Sequence, residues 1–180
     1  DKPASICFVS VLDNGDPKKD VQFRDELFQL DAPFKNDPVS ILKTQNRYYQ
    51  SSWCNDTLAI VSDYWWNNRN QKTYFFNPSN PSKEPSIISD RNYQDRYSDP
   101  GDFVEERNRY GEYVLLLRNK NLFLIGDGFS ADGQFPFLDE LKIGTFKKKR
   151  IYESTIEWEK ESLRDFNPDD NKLYVRIESP

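Results

Sequence analysis

Histidine and methionine are both absent from the 180 residues. Without histidine, no Ser-His-Asp or Cys-His constellation can be assembled from this chain alone. A Gly-x-Ser-x-Gly segment, the strained strand-to-helix turn that raises a nucleophilic serine, is missing as well. The lack of methionine fits a piece excised from a longer reading frame. Cysteine is scarce: Cys7 and Cys54 are the only two. A disulfide between them would need Cα atoms within about 7 Å. With no histidine to join them they cannot form a zinc site, so buried free thiols are expected. No apolar run approaches the roughly 20 residues of a membrane helix, and no signal-peptide pattern opens the chain. Nor is there a basic excess. The net charge is −5, which argues against nucleic acid, whose phosphates call for Lys and Arg. The single basic cluster, Lys147-Lys148-Lys149-Arg150, reads as a solvated hairpin loop. Expected partners therefore include neither nucleic acid nor a membrane, and no cofactor motif is present.

What remains is strand and turn. Short apolar runs rich in Val, Ile, Phe and Tyr recur at Ile6–Leu12, Leu27–Leu30, Val39–Leu42, Leu58–Val61, Thr73–Phe76, Ser86–Ile88, Tyr113–Leu117, Leu122–Ile125, Phe137–Ile143, Arg150–Tyr152 and Leu173–Ile177. Turn formers separate them: Asp13-Asn14-Gly15, Asn77-Pro78-Ser79-Asn80-Pro81 and Asn119-Lys120-Asn121. No stretch carries a 3.6-residue apolar stripe. The nearest, Thr155–Arg164, reads as a loop or at most one short helix. The chain is expected to be all-β. It is long enough to bury roughly 70% of its unfolded surface as one domain.

The strands come in repeats. Leu27 and Thr73 stand 46 positions apart, as do Leu42 and Ile88, and the tripeptide Asp-Glu-Leu occurs at 25–27 and 139–141. A period of about 45–60 residues with three or four strands suits one propeller blade. The expected layout is a partial β-propeller: blades at 1–50, 51–95 and 96–154, the last with longer loops, and the first strand of a fourth in 155–180. A β-sandwich is the competing architecture.

Residues 53–101 carry a resemblance. Trp53-Cys54-Asn55-Asp56-Thr57-Leu58-Ala59-Ile60-Val61, then Trp65, Trp66, Arg69 and Lys72-Thr73, then Asp90-Arg91 and Asp95-Arg96-Tyr97-Ser98-Asp99-Pro100-Gly101, resemble the glutamyl endopeptidase and dipeptidyl-aminopeptidase-like branch of the prolyl oligopeptidase serine peptidases. The resemblance is looser over 1–50 and 102–180. It implies the β-propeller that precedes the hydrolase domain in those enzymes and restricts peptide access to it. The implied partners are a hydrolase domain of the same parent polypeptide and peptide substrates. The implied compartment is periplasmic or exported in a bacterium, and the chloroplast in plants. A stand-alone module binding a protein or glycan is the alternative. Blades cut from a ring would expose faces bearing Phe8, Ile41, Phe75 and Phe123. Several hundred exposed Å² forfeits roughly 10 kcal/mol at about 25 cal/mol per Å², so self-association is expected.

Four residues are candidates for substrate or interface contact, and none for catalysis. Trp65 and Trp66 form either an aromatic platform or a core pair. Arg69 either binds a carboxylate or pairs with Asp63, and Arg96 either does the same or pairs with Asp95 and Asp99. Asp13, Asp16, Asp127, Asp132 and Gly133 do not match a calcium loop, so no metal is expected. Glu105-Glu106 and Asp169-Asp170 read as solvated.

Overall fold

The computed structural model describes residues 5–156 and 158–179, all of them strand, turn or coil, with no helix among them. The contacts divide the chain into two compact units, 1–94 and 95–180.

The first unit holds two antiparallel sheets. One has the order β1 (Ser5–Val11), β2 (Asp25–Asp31), β3 (Val39–Thr44), with Phe8 opposite Phe28 and a bulge between Leu27 and Phe28. The other runs β4 (Arg47–Asn55), β5 (Leu58–Trp65), β6 (Asn70–Phe76), β7 (Ser86–Asn92). Alternation sorts β2 cleanly: Asp25, Leu27 and Gln29 are buried while Glu26, Phe28 and Leu30 are half-buried. Strand β5 is buried on both faces from Leu58 to Asp63, as its near-continuous apolar run requires. Leu27, Ile41 and Leu42 of the first sheet pack with Ala59, Val61, Tyr74 and Phe76 of the second, and Val9, Tyr48 and Trp53 close the edges. Truncating Leu27 to Ala would cost about 2–5 kcal/mol through lost transfer energy and the cavity left behind.

The second unit repeats the plan. Its main sheet has the order β13 (Lys147–Glu153), β12 (Phe137–Lys142), β11 (Asn121–Gly126), β8 (Asp102–Phe103). A small hairpin of β9 (Glu105–Arg107) and β10 (Tyr113–Leu115) interrupts it, and β14 (Lys160–Asn167) pairs with β15 (Lys172–Glu178). Val104, Leu116, Phe123, Leu138 and Phe166 form its core, with the Phe123 and Phe166 rings 5.0 Å apart.

Within each sheet the strands pair in chain order, with the β9–β10 hairpin inserted between β8 and β11. That up-and-down meander is the topology of propeller blades rather than the Greek key of a sandwich. The described residues are all-β, in two four-stranded sheets, one three-stranded sheet and two two-stranded hairpins.

Several local expectations need correction. Lys147–Arg150 is no loop but the first half of β13, whose outward edge position lets lysines sit in a strand fully solvated. The polar stretch within Thr155–Arg164 enters strand β14, because cross-strand pairing with β15 satisfies its backbone without an apolar stripe; Glu157 lies outside the described residues. Strand β4 falls in a segment with too little alternation to announce it. Cys7 and Cys54 form no disulfide, and neither is buried as expected: Cys7 is exposed and Cys54 half-buried. Ile41 and Phe123 lie in the two cores, so of the four apolar residues expected on open faces only Phe8 is exposed. Phe75 is half-buried.

Candidate functional site

Trp65 ends β5 and Asn70 begins β6, so Trp66 and Arg69 fall in the connecting turn. Arg69 occupies the left-handed region at φ +60°, a conformation the tight turn imposes and side chains other than glycine adopt reluctantly. The turn is held by Tyr93 N–H, which donates to the Arg69 carbonyl at 2.8 Å. The guanidinium folds back over its own turn. It donates through Nη1 to the Trp66 carbonyl and lies 3.9 Å above the Trp66 ring. Trp66 is 62% exposed. Trp65 turns to the other side, where the Arg24 guanidinium covers it at 3.8 Å. The structure therefore joins Trp66 with Arg69 and assigns Trp65 to a different contact.

Asp63 does not pair with Arg69, contrary to the ion pair considered from the sequence. It is fully buried and accepts four hydrogen bonds: from Asn46 N–H at 2.9 Å, Asn46 Nδ2 at 3.0 Å, Lys72 N–H at 3.1 Å and Tyr74 O–H at 2.8 Å. Saturation by these donors, with no cation among them, keeps the carboxylate in the interior. Burial first, and then the Asp63 charge, push the Tyr74 phenol well above its ordinary value. Nearby, Asp13 accepts from Arg24 at 2.9 Å and Arg47 at 2.5 Å, and Arg47 also reaches Asp25 at 2.7 Å. The Arg47 hydrogen bond holds the Asp13 carboxyl below the usual range. These are ties within the fold. They leave Trp66 and Arg69 as the outward-facing pair of the first unit.

In the second unit, Arg96 borders a cleft of about 680 Å³. Its walls include Phe129, Phe135 and Phe137, with Lys148 and Arg150 contributed by β13 and Asp132 by the facing loop. Segment 95–101 is shaped by aspartates: Asp95 Oδ1 accepts from Tyr97 N–H and Asp99 Oδ1 from Gly101 N–H, each at 3.0 Å. The loop after β11 folds on itself, with Phe135 N–H donating to the Gly128 carbonyl at 2.9 Å and Ser130 N–H to the Gly133 carbonyl at 2.8 Å. Gly128 has φ +66°, and a Cβ there would overlap the Phe135 carbonyl, so only glycine closes this loop. Arg96 stacks 3.4 Å over the Phe129 ring. Arg150 is engaged by Asp139 at 2.5 Å and by Glu153, and covers Phe137 at 4.0 Å.

Cations above phenyl rings, in a cleft of this size, suit a peptide side chain with a carboxylate or an aromatic group. Of the serines lining the cleft, Ser98 Oγ donates to the Asp95 carbonyl and Ser130 Oγ to the Gly133 carbonyl. Among the described residues no group of three or more Asp, Glu, Cys or His side chains could hold a metal. The aromatic wall and Lys148 were missed from the sequence. The glycine-bracketed loop 126–133, followed by a lysine-rich strand, was the available signal.

No protein-family model matches the chain. Two curated plant proteins do. "Probable glutamyl endopeptidase, chloroplastic" of Oryza sativa subsp. japonica is 36% identical over 164 residues, covering 87% of this chain and 18% of that protein. The protein of the same name from Arabidopsis thaliana is 36% identical over 165 residues, covering 87% and 17%. The chain thus spans less than a fifth of the length of the relatives it matches. Among solved structures, TolB from Acinetobacter baumannii covers 96% of this chain at 13% identity and a TM-score of 0.45, the match taking in 36% of TolB. An oligogalacturonate lyase in complex with manganese covers 98% at 15% identity and a TM-score of 0.43, over 46% of its own length.

Proposed function

We propose that this chain, related to the glutamyl endopeptidases over 87% of its length, is the noncatalytic propeller portion of a serine peptidase of the prolyl oligopeptidase family. In this reading it restricts peptide access to a hydrolase domain carried by the same parent polypeptide. One observation carries the reading: the similarity falls on less than a fifth of each relative, and this chain supplies no histidine for a catalytic triad. The plant relatives are named chloroplastic; a bacterial parent would act in the periplasm or outside the cell.

Within this role the Arg96 cleft is the better contact for an acidic peptide. Arg69 is bound to its own turn, whereas Arg96 stands over Phe129 at the margin of an open cleft. A charge-assisted bond from Arg96 to a substrate carboxylate would be worth about 1–3 kcal/mol, or up to roughly a hundredfold in KM.

The test uses the full-length parent. A fluorophosphonate probe should label the parent stoichiometrically and leave the 180-residue chain unlabelled; labelling of the chain overturns the noncatalytic assignment. A short glutamyl peptide should be cleaved freely, and the same sequence within a folded protein should resist until unfolded. Equal rates would end the access role. Arg96→Ala should raise KM for glutamyl peptides and spare neutral ones, while an equal fall for both would remove Arg96 from substrate contact.

A further inference from the structure

Asn14-Gly15 is the single Asn-Gly pair of the chain, and it lies in the connection between β1 and β2. Asn14 has φ +59° and Gly15 φ +77°, and Asp16 N–H donates to the Asp13 carbonyl at 3.2 Å. That is the geometry of a type I′ turn with Asn and Gly at its two central positions. Asn14, Gly15 and Asp16 are exposed, whereas Asp13 is fully buried.

The pair carries a chemistry of its own. In a flexible Asn-Gly sequence the glycine nitrogen attacks the asparagine Cγ, with no Cβ on the glycine to hinder it. The N–Cγ bond forms, the Cγ–Nδ2 bond breaks, and the glycine amide proton leaves with Nδ2 as ammonia. Water then opens the five-membered succinimide ring, on one side to aspartate and on the other to isoaspartate.

Two features hold that reaction back here. Ring closure requires the Asn14 Cβ to eclipse the Gly15 nitrogen, and the left-handed backbone turns the two apart. The Gly15 N–H also donates to Asp13 Oδ1 at 2.9 Å, while Asp13 Oδ2 is anchored by Arg24 at 2.9 Å and Arg47 at 2.5 Å. The Arg47 hydrogen bond keeps the Asp13 carboxyl below its usual range. So weak a base fixes the amide proton without removing it.

We propose that Asn14 is a latent modification site, held closed by the clasp of Asp13 on Gly15 and converted to aspartate and isoaspartate when the turn opens. The change is one-way. Isoaspartate lengthens the backbone of a two-residue turn by a methylene, and either product sets a new carboxylate between Asp13 and Asp16. Every group involved lies within residues 13–47, and the proposal holds whether or not the peptidase reading does.

The test incubates the 180-residue chain in mildly alkaline buffer with and without urea. Peptide mapping by mass spectrometry follows the amide-to-acid conversion, and enzymatic methylation detects isoaspartate. In urea Asn14 should convert ahead of the other asparagines, since it alone precedes glycine. In the folded chain it should convert at least about tenfold more slowly, because reaction waits on local opening. Asp13→Ala, which removes the clasp, should restore most of the lost rate without urea, and Arg47→Ala, which removes one anchor, should restore part of it. Leu27→Ala weakens the core of the same unit without touching the turn, and should leave Asn14 slow. Conversion of the folded chain at the urea rate overturns the proposal, as does an unchanged rate in Asp13→Ala. A rise in Leu27→Ala equal to that in Asp13→Ala also overturns it, since global unfolding would then be the gate.

Discussion

The tripeptide Asp-Glu-Leu occurs once in each unit, and the two copies behave differently. In β2, Asp25 and Leu27 are buried and Glu26 points outward, where it accepts from Ser40 Oγ at 2.5 Å. In β12, Asp139 and Leu141 are buried and Glu140 accepts from Asn121 Nδ2 at 2.7 Å. Each aspartate takes an arginine, but from a different place. Asp25 is held by Arg47 at 2.7 Å and by Tyr48 N–H at 2.7 Å, both from β4 in the neighbouring sheet. Asp139 is held by Arg150, its cross-strand partner in the same sheet, whose side chain is 40% exposed. One acid joins two sheets and the other reinforces a pairing that the backbone already makes. The origin of the cation, more than the buried acid itself, decides how much the motif stabilises.

Removing the cation separates the two cases most sharply. Arg47→Ala leaves buried Asp25 without a cation among the described residues and Asp13 with Arg24 alone, and a buried carboxylate that loses its cation is costly. The thermal midpoint should fall by on the order of 10 °C; a smaller drop than that of Asp139→Ala would reverse the ranking. Acid should expose the same network. The Asp13 carboxyl lies below its ordinary value because Arg47 hydrogen-bonds it. Its stabilisation is therefore complete above the usual carboxylate range, and is lost as pH falls below about 4 through the folded-state value. Melting curves between about pH 6 and pH 2 should show this decline, and Arg47→Ala should flatten it. An unchanged slope in the variant would assign acid sensitivity to other groups, such as Asp90 beside Lys72. Asp139→Ala comes next, at about 1–2 kcal/mol by urea unfolding, because Arg150 keeps Glu153 and solvent. The smallest effect belongs to Arg118, which bridges Glu106 and Asp169 across the surface. Arg118→Ala should move the midpoint by no more than about 2 °C, and less in high salt.

The repeat was legible because its strands are spaced by turn residues and dense in β-branched and aromatic side chains. Leu27, Leu42, Leu58 and Leu122 announced buried strands, and each is in a core or on a buried face. What escaped was polar. Strands β4 and β14 owe their existence to pairing partners that composition does not reveal. Buried Glu161 in β14 accepts from Tyr152 of β13 through Oε1 at 2.7 Å, while its Oε2 has no hydrogen-bond partner among the described residues. Arg69 and Asp63 lie six positions apart, yet their partners are fixed by loop geometry and by Asn46 and Tyr74, which no spacing rule connects. The Arg96 cleft was half legible: Arg96 stood out, while Phe129 reaches it only through the folding of loop 126–133 and Lys148 only through the pairing of β13 with β12.

Asp95-Arg96-Tyr97-Ser98-Asp99-Pro100-Gly101 is among the most recognisable strings in this chain, and most of it is occupied with geometry. Two of its aspartates cap its own backbone, and Gly101, at φ +84°, sits where any Cβ would press into the backbone of Ile125. A stretch of sequence can thus carry a family resemblance while several of its residues record how the polypeptide bends, leaving Arg96 as the side chain of the heptapeptide that stacks on an aromatic ring at the cleft.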